Sequence, residues 1–280
     1  MKIYIFLLFC VLSSATMYAI PFNDVTDDFV IVNVGKAEIT KSDLTNYMAG
    51  YKSIKSWNSD SLNMVLNAMI TDLLFMNACI DEKITMTNAE LYWYTEFYFD
   101  KLGLDINNGE AVQLYFDSSD PYLDMDDFLI KSRFFLLKSK YIMSKEKVPS
   151  IKASHIFFST ENKNKKQITE IEKQAIKIAN TLQDSQIPFP ALFTQFDEEH
   201  LSSNSGDIGI ITLDGKNTFV PKNEVHKVFK AGLFSPVYVK NSKGFSIIFN
   251  TSYSIPSSEI LSEIMEDLKK RYEVKINLYF

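Results

Sequence analysis

An α+β fold is predicted for this chain, with helices at both ends enclosing a compact unit of short strands and helices at about Val148 to Ser254. Three observations predict it. Apolar residues recur at three- and four-residue spacing from Leu62 to Leu74, strict alternation sets in at Lys152 to Phe158, and the change of period falls at Val148-Pro149. The 280 residues allow about two domains at ~150 residues each. With 46% hydrophobic and 14% aromatic residues the chain can fill both cores, which excludes disordered and fibrous classes. A net charge of −6 excludes a general polyanion binder, because displacing counterions from nucleic acid needs clustered Lys and Arg.

Residues 1–19 read as a secretory signal: Lys2, an apolar run from Ile3 to Leu12, then small residues. The run is about half the ~20 residues that cross a bilayer, so cleavage is expected after Ala19, or after Ala15 with Ser13 at the −3 position. Phe9 occupies the place where a lipoprotein signal at Cys10 needs a small residue. The mature chain keeps one cysteine, Cys79, inside an apolar helical pattern, where an inert buried thiol is the usual outcome. Without an internal disulfide, stability must come from packing.

The elements follow in order. Phe29 to Val34 reads as a strand, Gly35 to Ala37 as a turn, and Ile39 to Leu44 as a strand end entering a capped helix. Asn58, Ser59 or Asp60 caps the amphipathic helix that carries Leu62, Val65, Leu66, Met69, Ile70, Leu73 and Leu74. Thr87 to about Lys101 forms a helix whose rings exceed one face. Either it packs on two sides, or some rings await an apolar partner. Gly103 to Gly109 is a loop, and Asp124 to Asp126 opens a helix ending near Ser144.

Beyond Pro149 a strand at Lys152 to Phe158 places His155 and Phe157 on one face. A helix with Ile168, Ile171, Ala175, Ile178, Ala179 and Leu182 follows, then a short helix opened by Pro188 and Pro190. Gly206 to Ile211, Pro236 to Val239 and Phe245 to Asn250 read as strands, with a helix around Lys222 to Ala231. From Glu259 a helix with Ile260, Ile264, Met265, Leu268 and Tyr272 on its stripe is expected to run to the end.

Read as a series, KASHIFF at Lys152 to Phe158, FPALFTQF at Phe189 to Phe196, SGDIG at Ser205 to Gly209, KAGLFSPV at Lys230 to Val237 and KGFSIIF at Lys243 to Phe249 resemble the parvulin family of peptidyl-prolyl cis-trans isomerases. The flanks, NVGKAEITKSDL at Asn33 to Leu44 and NACIDEKITMTNAEL at Asn77 to Leu91, are similar to SurA- and PrsA-like exported foldases. The resemblance implies a parvulin-like mixed sheet with flanking helices at 148–255. It also implies a helical chaperone domain made from residues 20–147 and a C-terminal helix at 256–280. A periplasmic location and unfolded exported proteins as partners follow from it, with no nucleic acid, metal or cofactor.

Rotation about an X-Pro bond faces ~18–20 kcal/mol and breaks no covalent bond. An isomerase needs only an apolar cup for the ring and a polar network favouring the twisted amide. The resemblance implies a network of His155 on the first strand, Glu199, or Glu198 one register earlier, from the acidic loop, and Ser246 where the family has a second histidine. Val239 stands where a threonine is common. Phe219 and Phe229 fall near the family's pocket positions, although KAGLFSPV is one residue short between Gly232 and Pro236; both rings are equally read as core. Bottom-up, His155 is a hydrogen-bonded core residue or a catalyst, and Glu199 a network member or part of a solvated acidic loop. His200 and His226 have no metal-ligand spacing. Three functions follow: a client-binding folding factor with a weak or silent isomerase unit, an active prolyl isomerase, or an envelope protein serving one dedicated partner.

Overall fold

A computed structural model describes residues 25–54, 56–147, 149–184, 206–215, 220–233, 235–253 and 256–278. The expected signal segment, Pro188 to Phe196, Glu199 and Phe219 lie outside the described residues.

Strands β1 (Val30–Val34) and β2 (Ala37–Thr40) form an antiparallel hairpin. Its turn needs Gly35 at φ +60°. Thr40 then caps α1 (Lys41–Ala49) through a reciprocal box: the Asp43 N–H donates to Thr40 Oγ1 at 3.1 Å, and the Thr40 N–H to Asp43 Oδ2 at 2.8 Å. Asn58 caps α2 (Ser59–Asp81) in the same manner, and the stripe of Leu62, Val65, Leu66, Ile70, Leu74, Phe75, Ala78 and Cys79 is buried. Helices α3 (Asn88–Lys101), α4 (Gly109–Ser118) and α5 (Met125–Lys145) follow, capped by Thr87, Asn108 and Asp124. The sequence reading stops at the loop before α4. That helix buries only Val112 and Phe116, a stripe too short to announce itself by period.

Helix α3 packs on two sides, and Tyr94, Phe97 and Tyr98 of its ring excess also line a cleft. Leu91 and Trp93 join Leu136 of α5 in one cluster, while Phe99 joins Val112, Phe116 and Phe128 in another.

The central unit is a four-stranded sheet in the order β4-β3-β6-β5. Its strands are β3 (Ser150–Ser159), β4 (Asp207–Thr212), β5 (Pro236–Lys240) and β6 (Gly244–Tyr253), and every pairing among them is antiparallel. The α+β class stands as expected. Helix α6 (Lys165–Asp184) covers one face, placing Ala175, Ala179 and Leu182 on Ile156, Phe158, Phe245, Ile247 and Phe249. Helix α7 (Val225–Ala231) covers the other, with Val225 and Val228 packed among Ile151, Ala153, Val239 and Ile248. So β3 and β6 are buried on both faces.

The carboxyl end departs from the sequence reading. Helix α8 (Ser258–Arg271) stops at Tyr272, and Val274–Ile276 form β7, which pairs antiparallel with β1 through Val32↔Ile276. The β-branched pair Val274 and Ile276 favours extended backbone, and the unpaired edge of β1 supplies the hydrogen-bonding partner that a continuing helix would leave without one. Ile264 and Leu268 of α8 sit in the same core as Val65, Leu74, Phe75 and Tyr141. At its end Arg271 bonds Glu82 at 3.0 Å and the Tyr272 hydroxyl donates to Asp81 at 2.6 Å.

Burial would push the Glu82 carboxyl up, but hydrogen bonds from Lys145 and Arg271 outweigh it and hold the group below the usual carboxylate range. A depressed carboxylate contributes stability above its unfolded value, lost as pH falls through the folded one. Glu82→Gln is therefore expected to lower Tm by about 2–4 °C at pH 7, as partly exposed pairs allow. The gap from wild type should close as pH falls from the ordinary carboxylate range through the lowered value of the folded group; a gap independent of pH in calorimetry would contradict the assignment. Leu268→Ala, at a fully buried position, should cost about 2–5 kcal/mol in denaturant unfolding. A cost below about 1 kcal/mol would place α8 outside the core.

Candidate functional site

The ladder between β3 and β6 sets the site. His155 faces Ile248 and Phe157 faces Ser246, so His155 and Ser246 are diagonal neighbours on one face of the sheet. Both are buried, at 2% and 0% exposure. The Ser246 hydroxyl lies 3.4 Å from His155 Nδ1. The imidazole lies roughly parallel to the Phe157 ring at 5.9 Å.

Two turns hold this pair. On one side the His155 N–H donates to Gly206 O at 2.9 Å. At the start of β4, where its register with β3 shifts, the Gly209 N–H donates to Asp207 Oδ1 at 2.8 Å, with Gly209 at φ +76°. Asp207 also meets Lys152 at 2.9 Å. Burial opposes ionisation of Asp207, but the Lys152 and Gly209 hydrogen bonds outweigh it and keep its carboxyl below the usual range. The Gly206–Gly209 segment is thus the backbone clamp beside His155.

On the other side the β5–β6 turn carries Asn241. Its Oδ1 accepts the N–H groups of Lys243 and Gly244, each at 2.9 Å, and its Nδ2 donates to Ser246 Oγ at 3.2 Å. Gly244 can be nothing larger, because a Cβ there would stand 2.1 Å from Phe158 O. Val239 faces Ser246 across the β5–β6 ladder and is fully buried. It offers no hydrogen bond, so the polar support of Ser246 comes from Asn241.

The structure thus brings His155 and Ser246 together. Phe229 lies partly buried against the α7-side core. Glu199, Phe219 and His200 lie outside the described residues. His226 is exposed on α7, and among the described residues no group of three or more His, Cys, Asp or Glu could hold a metal. Cys79 is buried, its Sγ donating to Leu137 O at 3.5 Å; burial, with Glu82 adding, pushes the thiol up to about 11, far from a reactive thiolate. Sequence reasoning missed Asn241. Its signal was present in the NSKG turn, since Asn commonly closes an Asx turn onto backbone N–H groups two and three residues ahead.

A second feature lies where the sheet meets the helices. Tyr94, Phe97 and Tyr98 of α3, Phe135 of α5, Leu233 and Tyr253 line a cleft of about 270 Å³. Gly232, which precedes the cleft residue Leu233 and has φ +80°, abuts Glu90, which is 4% exposed and paired with Lys140 at 2.6 Å. Asn250 Nδ2 donates to Val228 O at 2.7 Å and Gly232 O at 2.8 Å, tying α7 and its following turn to β6.

A family model and several solved structures match parts of this chain. Residues 136–252 match the family model for the PPIC-type PPIase domain. No curated protein matches the chain. Among solved structures the chain is similar to PrsA from Bacillus subtilis, at 19% identity over 88% of this chain and 86% of that one, with a TM-score of 0.27. PrsA from Bacillus anthracis matches at 21% identity over 74% and 88%, with a TM-score of 0.30. A PpiC-type peptidyl-prolyl cis-trans isomerase domain matches at 20% identity over 39% and 95%, with a TM-score of 0.32. Over residues 136–252 this chain is similar to the parvulin-type domain of the PPIC-type PPIase family.

Proposed function

We propose that the protein is an exported, periplasmic folding factor that binds unfolded clients and whose parvulin-type domain has weak or absent prolyl isomerase activity. One observation carries the reading: the imidazole of His155 is 2% exposed and its Nδ1 faces a serine hydroxyl, Ser246. Serine hydrogen-bonds but does not titrate near neutrality. A network built to follow the charge of a twisting amide therefore lacks its second adjustable group.

Client binding is assigned to the helical part, residues 20–147 with 256–280. The aromatic cleft supports it, together with half-exposed Phe135 and exposed Leu114, since apolar surface open to water binds apolar segments. Glu199, Phe219 and Phe229 remain proposed members of the isomerase site, beside His155 and Ser246.

Two measurements test this. In a proline-peptide assay the full chain should accelerate isomerisation less than about tenfold over the uncatalysed rate of tens of seconds. A larger acceleration that disappears in His155→Ala would establish an active enzyme instead. In light scattering the protein should suppress aggregation of several unrelated unfolded proteins, and Phe135→Ser should weaken that suppression severalfold. Protection of a single client would favour a dedicated partner.

A further inference from the structure

The Ser246 hydroxyl has one proton to give and two lone pairs to receive with, and its surroundings decide where each goes. Asn241 Oδ1 is claimed by two backbone N–H groups, Lys243 and Gly244, both at 2.9 Å. That double contact fixes the orientation of the amide, because the opposite orientation would aim NH₂ at two donors. Nδ2 is therefore the atom 3.2 Å from Ser246 Oγ, and it can only donate. Ser246 accepts that bond. Its own proton then needs an acceptor, since a buried hydroxyl without one costs about 1–3 kcal/mol. Among the described residues the acceptor it meets is His155 Nδ1, at 3.4 Å.

We infer that Asn241 is a positioning residue which, through Ser246, holds neutral His155 with Nδ1 bare and its proton on Nε2. The chain runs in one direction: Asn241 N–H to Ser246 Oγ, then Ser246 O–H to His155 Nδ1. It is anchored to the β5–β6 turn by backbone N–H groups, so the local backbone that makes the turn also selects the tautomer. The fully buried Val239 on the neighbouring strand leaves this task to Asn241. The assignment is argued from these contacts. Its bearing on prolyl turnover rests on the functional reading above, which the peptide assay tests separately.

The experiment is long-range ¹H–¹⁵N correlation on the full chain labelled at histidine, at pH 8, above the ordinary imidazole value of ~6.5. The three histidines are separated by the signal lost in His155→Gln. His155 is expected to show a pyridine-type Nδ1 and a pyrrole-type Nε2. Asn241→Asp keeps an oxygen for both backbone N–H groups but replaces the donor with a second acceptor. The Ser246 proton should then turn to the carboxylate, and the dominant His155 tautomer should invert to Nδ1–H. In Ser246→Ala, where the relay is cut but no new acceptor appears, the single-tautomer preference should give way to a mixture. A pyrrole-type Nδ1 in the unmodified protein, or a tautomer unmoved in folded Asn241→Asp and Ser246→Ala, overturns the inference.

Discussion

The antiparallel ladder between β3 and β6 is the constraint on which the other features depend. It runs from Ser159↔Gly244 at one end to Ile151↔Tyr253 at the other. At the first end the backbones approach so closely that Gly244 is obligatory. At the other, the chain entering from α5 and the chain leaving toward α8 are brought side by side. This return permits α8 to reach α2 and lets β7 add to β1. The ladder that sets the sheet register thus also closes the N-terminal core with residues more than 200 positions away in sequence.

The same register makes the polar site. Because side chains alternate along a strand, a slip by one residue would send His155 to the α6 side, among Ile156 and Phe158. In register, imidazole and serine hydroxyl share a dry face, where a hydrogen bond is strengthened by low dielectric and an unmet one is costly. The Asn241 amide meets that demand from the turn, and the Gly206–Gly209 segment holds the other side through the His155 N–H. A site of this type is well specified in geometry yet has limited capacity to change charge.

Where sheet and helices meet, the interface is built from different physics. A buried ion pair, Glu90–Lys140, stands against a glycine turn. Such a pair adds little net stability once desolvation is counted, but it penalises any arrangement that separates its members. Asn250 reinforces the junction by binding two carbonyls with one amide. The aromatic cleft is bordered by Tyr253 from the sheet and Tyr94, Phe97 and Phe135 from the helices. Its shape is therefore fixed by the junction and not by either part alone.

Much of this was legible in the amino-acid order because it is local. The Thr40, Asn58, Thr87 and Asp124 caps, the Leu62 to Leu74 stripe and the alternation around His155 each report a period or a short-range hydrogen bond. The series of short motifs resembled a PPIC-type domain for the same reason: order and spacing along the chain are properties of the sequence itself. Tertiary structure alone decided that Val274–Ile276 leave the helix to pair with β1, since a three-residue strand has no meaning until its partner edge is present. It alone decided that the α3 rings divide between two clusters, and that Asn241 stands behind Ser246. Contacts made across a ladder or between distant segments depend on register and crossing, and neither has a period that sequence spacing can express.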